Sequence, residues 1–200
     1  MADQFWSSKQ VDPKRSFRWV LVLANMPSYI IKTSGKPSFT INNITHNYIA
    51  HTFNYPGRIT WNPVSVTLVD PVDPDASSKL VKILQASGYA PPIDDEAARI
   101  SFTKNDSSIV LGSPSIKQVD ANGKAIETWT LKNAWIESVN FGNLSYEEDS
   151  MVNIEISFRY DWAEYFGGDG GLNQAVMYAG PKAKTTIKDL RTELGATVGS

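Results

Sequence analysis

The sequence predicts a mostly β, antiparallel fold that carries one clear α-helix. Apolar and polar residues alternate strictly over residues 151–162, which is typical of a half-buried strand with one dry and one wet face. Shorter segments of strand-like composition recur along the chain and are bounded by proline and glycine. Residues 74–87 instead combine an apolar stripe at helical spacing with residues that favour helix ends.

The alternating stretch 151–162 separates its side chains into two chemically different faces. One face is apolar and aromatic, and we expect it to anchor the core. The other carries both signs of charge, and we expect it to meet water or a hydrated partner. The predicted core face comprises Val152, Ile154, Ile156, Phe158, Tyr160 and Trp162. The predicted wet face comprises Met151, Asn153, Glu155, Ser157, Arg159 and Asp161.

The N-terminal quarter of the chain is predicted to be an arm followed by short strands. Residues 1–15 are polar, and we expect them to form the arm. Residues 16–24 form a near-continuous apolar run, which favours a strand buried on both faces. Short strands are predicted at residues 29–32 and 38–42, with proline and glycine between them.

Residues 45–58 are aromatic, polar and poorly periodic, and the segment closes at Pro56-Gly57. We interpret it as a long, hairpin-like excursion. The chain returns as a predicted strand over residues 59–70, where apolar and polar residues alternate. Pro63 has no N–H to donate, so we expect it at a bulge or an unpaired edge position.

One helix is predicted over residues 74–87. Asp73 is the predicted N-cap, Pro74 the first helical residue and Gly88 the C-terminal stop. The apolar stripe of this helix consists of Ala76, Leu80, Ile83 and Leu84.

The rest of the chain is predicted to be strands and turns, followed by an extension. Three domain segments result: an arm at 1–15, a β domain at 16–166, and a glycine linker with a C-terminal extension at 167–200. The further predictions are a loop at 90–106, strands at 107–119, 125–132 and 134–139, turns at 120–123 and 141–150, and helical spacing at 172–179 and 182–194.

Composition is that of an ordinary globular protein. The 200 residues carry a net charge of −2 and contain no cysteine, which excludes a disulfide framework and a thiolate metal site. No apolar run is long enough to span a bilayer, and the N-terminus lacks the apolar core of a signal peptide. We therefore expect a soluble chain with no membrane partner.

The charge is distributed unevenly along the sequence. Residues 1–90 hold nine basic and five acidic side chains, whereas residues 91–166 hold six and thirteen. Solvated faces account for such a split, and so does head-to-tail self-association of a basic surface with an acidic one. The pattern argues against a simple nucleic-acid binder, which would concentrate positive charge.

The chain offers no pattern of catalytic, metal-binding or cofactor-binding residues. His46 and His51 are its two histidines, and extended backbone would place them on opposite faces. Helix capping explains Asp73 and Asp75 without a calcium ion. The glycine run at 167–171 lacks the Lys-Ser/Thr pair of a phosphate loop. We predict a non-enzymatic protein without a metal or cofactor.

Tryptophan usage leaves a carbohydrate-binding β-sandwich open as an alternative. Exposed aromatic platforms stack on sugars, although tryptophans more often fill cores or oligomer interfaces. The candidate platform residues are Trp61, Trp129, Trp135 and Trp162.

The order of elements resembles that of the tail tube proteins of contractile-tailed bacteriophages. The most specific similarity lies in NAWIESVNFGNLSYEEDSMVNIEISFRYDW, residues 133–162. There a tryptophan near a strand start precedes a Gly-x-Leu, an acidic turn and the alternating strand. The likeness covers about residues 16–166, and the C-terminal extension lies beyond it.

This resemblance implies a β-sandwich or barrel with one flanking helix, in a structural protein that forms hexameric rings. Strands of six copies would join into one β-barrel around a lumen. Stacked rings would form a tube inside the tail sheath, through which the tape measure protein and DNA pass. The protein would be made in the host bacterial cytoplasm and reside in the virion tail. The alternatives are a tube initiator or terminator, or the related tube protein of a bacterial contractile secretion system.

Two surfaces acquire expected roles from this resemblance. The aromatic excursion suits a contact loop between rings, formed by His46, Asn47, Tyr48, His51, Phe53, Tyr55 and Arg58. The mixed-charge face suits a lumen that must not grip a polyanion, and its candidate residues are Asn153, Glu155, Ser157 and Arg159.

Overall fold

Two four-stranded antiparallel sheets form the body of the molecule in a computed structural model, which describes residues 13–23, 26–93, 95, 97–99, 101–147 and 149–167. The elements in chain order are β1 (Trp19–Val22), β2 (Ile31–Ser34), β3 (Ser38–Tyr48), β4 (His51–Asn62), β5 (Val64–Val69), α1 (Ala76–Ala86), α2 (Lys104–Leu111), β6 (Ser115–Val119), β7 (Ala125–Lys132), β8 (Trp135–Asn140), β9 (Asn153–Arg159) and β10 (Trp162–Gly167).

The first sheet has the order β1-β6-β7-β10 and the second the order β2-β5-β9-β8. Strands β3 and β4 pair only with each other and form a two-stranded ribbon. The predicted mostly β, antiparallel fold class is confirmed, with a second, shorter helix beside the predicted one. The predicted helical spacing at 172–179 and 182–194 lies outside the described residues, as does most of the predicted arm.

The core is formed by the inward side chains of both sheets and by one stripe of α1. In the second sheet, Phe158 of β9 is paired with Val64 of β5, and both side chains are almost fully buried. Leu80 of α1 is buried in the same cluster. Alternate residues of β9, namely Ile154, Ile156 and Phe158, are buried together with Tyr160, whereas Val152 is only half-buried.

The predicted single strand at 151–162 is in fact two strands, in different sheets. β9 ends at Arg159, and the chain turns at Tyr160-Asp161 to enter the first sheet as β10. This corner shifts the alternation by one residue, so that Ala163 is fully buried and Trp162 only half-buried. The prediction of Trp162 on the core face was therefore wrong, because alternation in sequence does not reveal a change of sheet.

A second helix occupies residues that were predicted to be loop and strand. Thr103 caps α2, since its Oγ1 accepts a hydrogen bond from the Asp106 N–H at 3.1 Å. Leu111 anchors the helix in the core, and Gly112 ends it with a φ of +68°. The strand predicted to begin at residue 107 begins only at Ser115.

The predicted helix α1 begins later than expected. Asp75, not Asp73, is the N-cap, and its side chain accepts a hydrogen bond from the Ser78 N–H at 2.8 Å. Pro74 lies before the helix, after a cis peptide bond. Gly88 stops the helix as predicted, with a φ of +108° that favours glycine.

The N-terminal strands are shorter and less buried than predicted. β1 covers four residues, and Leu21 is buried while Val20 and Val22 are exposed, so the strand has one dry face instead of two. The strand predicted at 29–32 begins at Ile31, because Ser28–Ile30 forms a 3₁₀ turn.

Candidate assembly surfaces

The ribbon of β3 and β4 is the most exposed part of the described chain. All eleven residues of β3 are exposed, and the two strands meet in a turn at Ile49-Ala50. The predicted excursion at 45–58 lies within this ribbon, which extends over residues 38–62. Pro56-Gly57 does not close the hairpin as expected, but lies inside β4.

A bulge interrupts the ribbon between the pairs Ile41–Ile59 and Asn43–Pro56. One residue of β3, Asn42, lies opposite two residues of β4 at this point. Gly57 fits here because a Cβ atom would lie 2.9 Å from the backbone oxygen of Asn42. The bulge shifts the alternation of side chains along β4 by one residue. Odd-numbered residues of β4 before the bulge, such as Tyr55, therefore lie on the opposite face from those after it, such as Ile59.

Beyond the bulge, the outer half of the ribbon has one apolar and one polar face. Strand pairing places Ile44 beside Tyr55, His46 beside Phe53 and Tyr48 beside His51. We call these six residues the tip face. The opposite polar face comprises Asn43, Thr45, Asn47, Thr52 and Asn54.

The two histidines share the tip face, which corrects the expectation that they lie on opposite faces. A turn lies between them, and it brings His51 back beside Tyr48. Of the predicted contact-loop residues, the tip face unites His46, Tyr48, His51, Phe53 and Tyr55. Asn47 lies on the polar face, and Arg58 lies at the bulge.

The inner half of the ribbon is attached to the body through aromatic contacts. The ring centroid of Trp61 lies 5.2 Å from that of Phe39 and 5.8 Å from that of Tyr160. Burial raises the pKa of Tyr160 to about 12. Because Phe39 and Trp61 share a face with Thr45 and Asn54 in the pairing, the tip face lies on the other side of the ribbon.

The outward face of the second sheet carries the predicted lumen residues. Glu155 is exposed, and its neighbours across the strands are Thr67 and Asn140. The Nε of Arg159 donates a hydrogen bond to Glu137 Oε1 at 3.1 Å, and Lys32 Nζ donates one to Asn153 at 3.4 Å. The positive charges of Lys32 and Arg159 on this face balance the negative charges of Glu137 and Glu155. Ser157 belongs to the same face and lines a shallow recess of 300 Å³.

A buried carboxylate connects the start of the ribbon to the first sheet. Glu127 of β7 accepts hydrogen bonds from Lys36 Nζ at 2.6 Å and Trp129 Nε1 at 2.7 Å, and it also pairs with Lys14. Burial alone would raise the pKa of Glu127, but these hydrogen bonds outweigh it and lower the pKa to about 2. The same hydrogen bond from Lys14 raises the pKa of that lysine.

An apolar groove of 420 Å³ lies between the helices and β8. Its lining includes Leu84, Phe102, Trp135, Ile136 and Phe141. The four tryptophans considered as a sugar platform are half-buried and lie on four different strands, β4, β7, β8 and β10. Trp61 and Trp129 pack against the core.

Neither a metal centre nor a membrane helix is found in the part of the chain that the structure describes. Within that part, histidine, aspartate and glutamate do not gather in groups of three or more that could hold an ion. The helices among the same residues are too short or too polar to cross a bilayer.

Comparison with known proteins gives a structural likeness only. No family model and no curated protein matches the sequence. A chain of the 6-fold symmetrised anti-feeding prophage baseplate is 13% identical with a TM-score of 0.57, over 78% of this chain and 97% of that one. A chain of the extended PVC sheath-tube complex, an extracellular contractile injection system, is 12% identical with a TM-score of 0.56, over 78% and 91%.

A chain of the anti-feeding prophage tube terminating cap is 11% identical with a TM-score of 0.56, over 78% of this chain and 91% of that one. These similarities confirm the predicted tail-tube-like fold.

Proposed function

We propose that this chain is a structural, non-enzymatic subunit that assembles into the tube of a phage-tail-like contractile particle. The observation that carries the proposal is the exposed ribbon. It displays eight large hydrophobic side chains, and Arg58 is its only residue of the Lys, Arg, Asp or Glu types. An isolated two-stranded hairpin is marginally stable in water, and exposed apolar patches of this kind mark interaction surfaces.

Ring formation would use the free strand edges of the body. In the described residues, β1 and β10 end the first sheet, and β2 and β8 end the second. Unpaired edges are open to association with another chain, and closure into a ring removes them. A ring of six copies follows from the resemblance to tail tube proteins, and the fold likeness to a chain of a 6-fold symmetrised baseplate is in keeping with it.

The two surfaces then take different roles in the assembled tube. The ribbon contacts the neighbouring ring, and the face with Asn153, Glu155, Ser157 and Arg159 lines the lumen. The balanced charge of that face lets DNA, led by a tape measure protein, slide without binding. A sheath surrounds the tube, the whole forms a virion tail, and the subunit is made in the host cytoplasm.

A tube end is the second candidate, favoured by one observation. The TM-score to a chain of the tube terminating cap equals that to a chain of the sheath-tube complex, 0.56 in both. A subunit of the tube wall polymerises into tubes of variable length, whereas an initiator or terminator forms single rings. A tube of a contractile secretion system would share the wall geometry but would not conduct DNA.

Negative-stain electron microscopy of the purified chain tests the proposal. Six-membered rings that stack into tubes at high protein concentration are the expected result, and single rings at every concentration would favour the tube-end candidate. A monomer at all concentrations, measured in parallel by light scattering, would contradict both.

A further inference from the structure

The strand pairing of the ribbon separates its inner apolar residues from its outer ones, because the two groups lie on opposite faces. Of its inner apolar residues, Phe39 and Trp61 lie on the face that packs toward the body through Tyr160, whereas Ile41 and Ile59 on that face remain about half exposed. Its outer apolar residues lie on the other face, so the body of the same chain does not cover them. The exposed fractions are 57% for Ile44, 61% for Tyr48, 49% for Phe53 and 53% for Tyr55.

On the polar face of the outer half, side chains already form hydrogen bonds with each other within the ribbon. Asn43 Nδ2 donates a hydrogen bond to Asn54 Oδ1 at 2.8 Å, and Thr52 Oγ1 donates one to Asn47 Oδ1 at 2.9 Å. These side chains gain little from a partner, because their hydrogen bonds are made and their exposure to water costs nothing. The tip face has the opposite character.

We propose that the tip face, and not the polar face, is the surface by which the ribbon contacts a second copy of this chain. This inference rests on the proposed function and deepens it by assigning the contact to one side of the ribbon. Lys, Arg, Asp and Glu are absent from the tip face. A second copy that approaches this face therefore meets none of these four charged side-chain types.

The size of the tip face indicates why the occupant is a repeating copy. Three half-exposed aromatic side chains and one isoleucine offer on the order of 400 Å² of apolar surface. A stable one-to-one complex buries about 800 Å² on each partner. One tip face alone is therefore too small for a lasting pair, whereas equal contacts repeated around a ring strengthen one another through effective concentration.

The absence of cysteine from the chain allows a direct test by thiol protection. Ile44→Cys places a thiol on the tip face, and Thr45→Cys places one on the polar face at the neighbouring position. Both residues are exposed, so both variants retain the fold. Each variant is mixed as a minority component with wild-type protein, so that assembly proceeds, and its reaction with a maleimide is timed before and after assembly.

Assembly is expected to slow the reaction of Ile44→Cys at least about tenfold and that of Thr45→Cys less than about twofold. Since only this chain is present, the protection can come only from a second copy. Equal protection of both thiols, or tubes in which Ile44→Cys reacts freely, overturns the inference while leaving the proposed function intact. A wild-type chain that forms neither rings nor tubes instead overturns the proposed function, and this inference with it.

Discussion

The side chain of Asn133 donates a hydrogen bond to Asp161 at 2.8 Å, which joins the two tight corners where the chain changes sheets. Asn133 lies between β7 and β8, with a φ of +52°, and Asp161 lies between β9 and β10. Lys104, the first residue of α2, donates to the same carboxylate at 2.7 Å. Burial raises the pKa of Asp161, but the hydrogen bonds from Lys104 and Asn133 outweigh it and lower the pKa. One carboxylate thus links both sheets and a helix.

Replacement of Asp161 should therefore destabilise the fold. Asp161→Ala removes the acceptor of both hydrogen bonds, and we expect a loss of about 1 kcal/mol in the free energy of unfolding, because the three side chains are exposed to water. Urea denaturation measures it. Asp149→Ala, at an exposed carboxylate, is the control and should change stability by no more than about 0.5 kcal/mol. Equal unfolding midpoints for the two variants would contradict the structural role of Asp161.

Glu127 should make the stability depend on pH in the acid range. Its pKa is lowered from an ordinary value of 4.5 to about 2 in the folded protein. Its contribution is complete above the ordinary pKa and is lost as the pH falls through that window toward 2. Glu127→Gln, which cannot titrate, should flatten the decline of stability over the same window.

Urea midpoints of the wild type and Glu127→Gln at several acid pH values measure this effect. The variant should also lose stability at neutral pH, because Lys36 and Lys14 lose a charged acceptor. Parallel pH profiles of the two proteins would show that Glu127 does not cause the acid sensitivity.

The two faces of β9 should respond differently to substitution. Phe158 has no exposed surface, so Phe158→Ala should cost about 3–5 kcal/mol and give insoluble or unfolded protein. Glu155 is exposed, and Glu155→Lys should fold with a change of about 0.5 kcal/mol or less. Circular dichroism and ring assembly of the two variants provide the comparison. Failed assembly of Glu155→Lys beside normal assembly of Phe158→Ala would reverse the assignment of the faces.

Glu155→Lys also tests the proposed lumen. If this face lines the DNA path, the substitution adds a positive charge for each subunit around it, and DNA ejection from intact particles should slow. Added salt should relieve the defect, because it screens the attraction. Unchanged ejection kinetics would place the face outside the lumen.

Removal of the outer ribbon should separate folding from stacking. Tyr48 and Phe53 are about half exposed, so replacing residues 47–55 with a short Gly-Ser linker should leave a folded body. We expect rings that no longer stack, observed by electron microscopy. Tubes of normal length from this variant would contradict the role of the ribbon between rings.

The alternation of apolar and polar residues predicted much of the two-sheet body correctly. It failed where contacts between residues distant in the sequence determine the path of the chain. It placed Ile154, Ile156 and Phe158 on one face, and the structure buries all three. It did not reveal the corner at Asp161, whose partners Lys104 and Asn133 are remote in the sequence. The alternation of apolar and polar residue types in the sequence continues through the corner, although the buried face of the chain changes there. Only tertiary contacts mark the corner.

The second helix and the ribbon turn were missed for local reasons. α2 is short and polar, and its capping signal, Thr103 followed by Asp106, was the one indication of a helix start. The ribbon turns at Ile49, which adopts a φ of +54° and lacks the glycine or asparagine that usually marks such a turn. Without that turn, His46 and His51 were predicted on opposite faces.

The connection between the ribbon and the body determines how the subunit would carry mechanical load. Only Pro63 separates β4 from β5, and β5 is an inner strand that is hydrogen-bonded to β2 on one side and β9 on the other. A pull on β4 therefore reaches the molecule at a strand held by two ladders, both of which must break before it can be extracted, whereas β3 leads back through residues 35–37 to the edge strand β2. In the proposed tube, tension carried by β4 between neighbouring rings would be borne by the middle of a sheet.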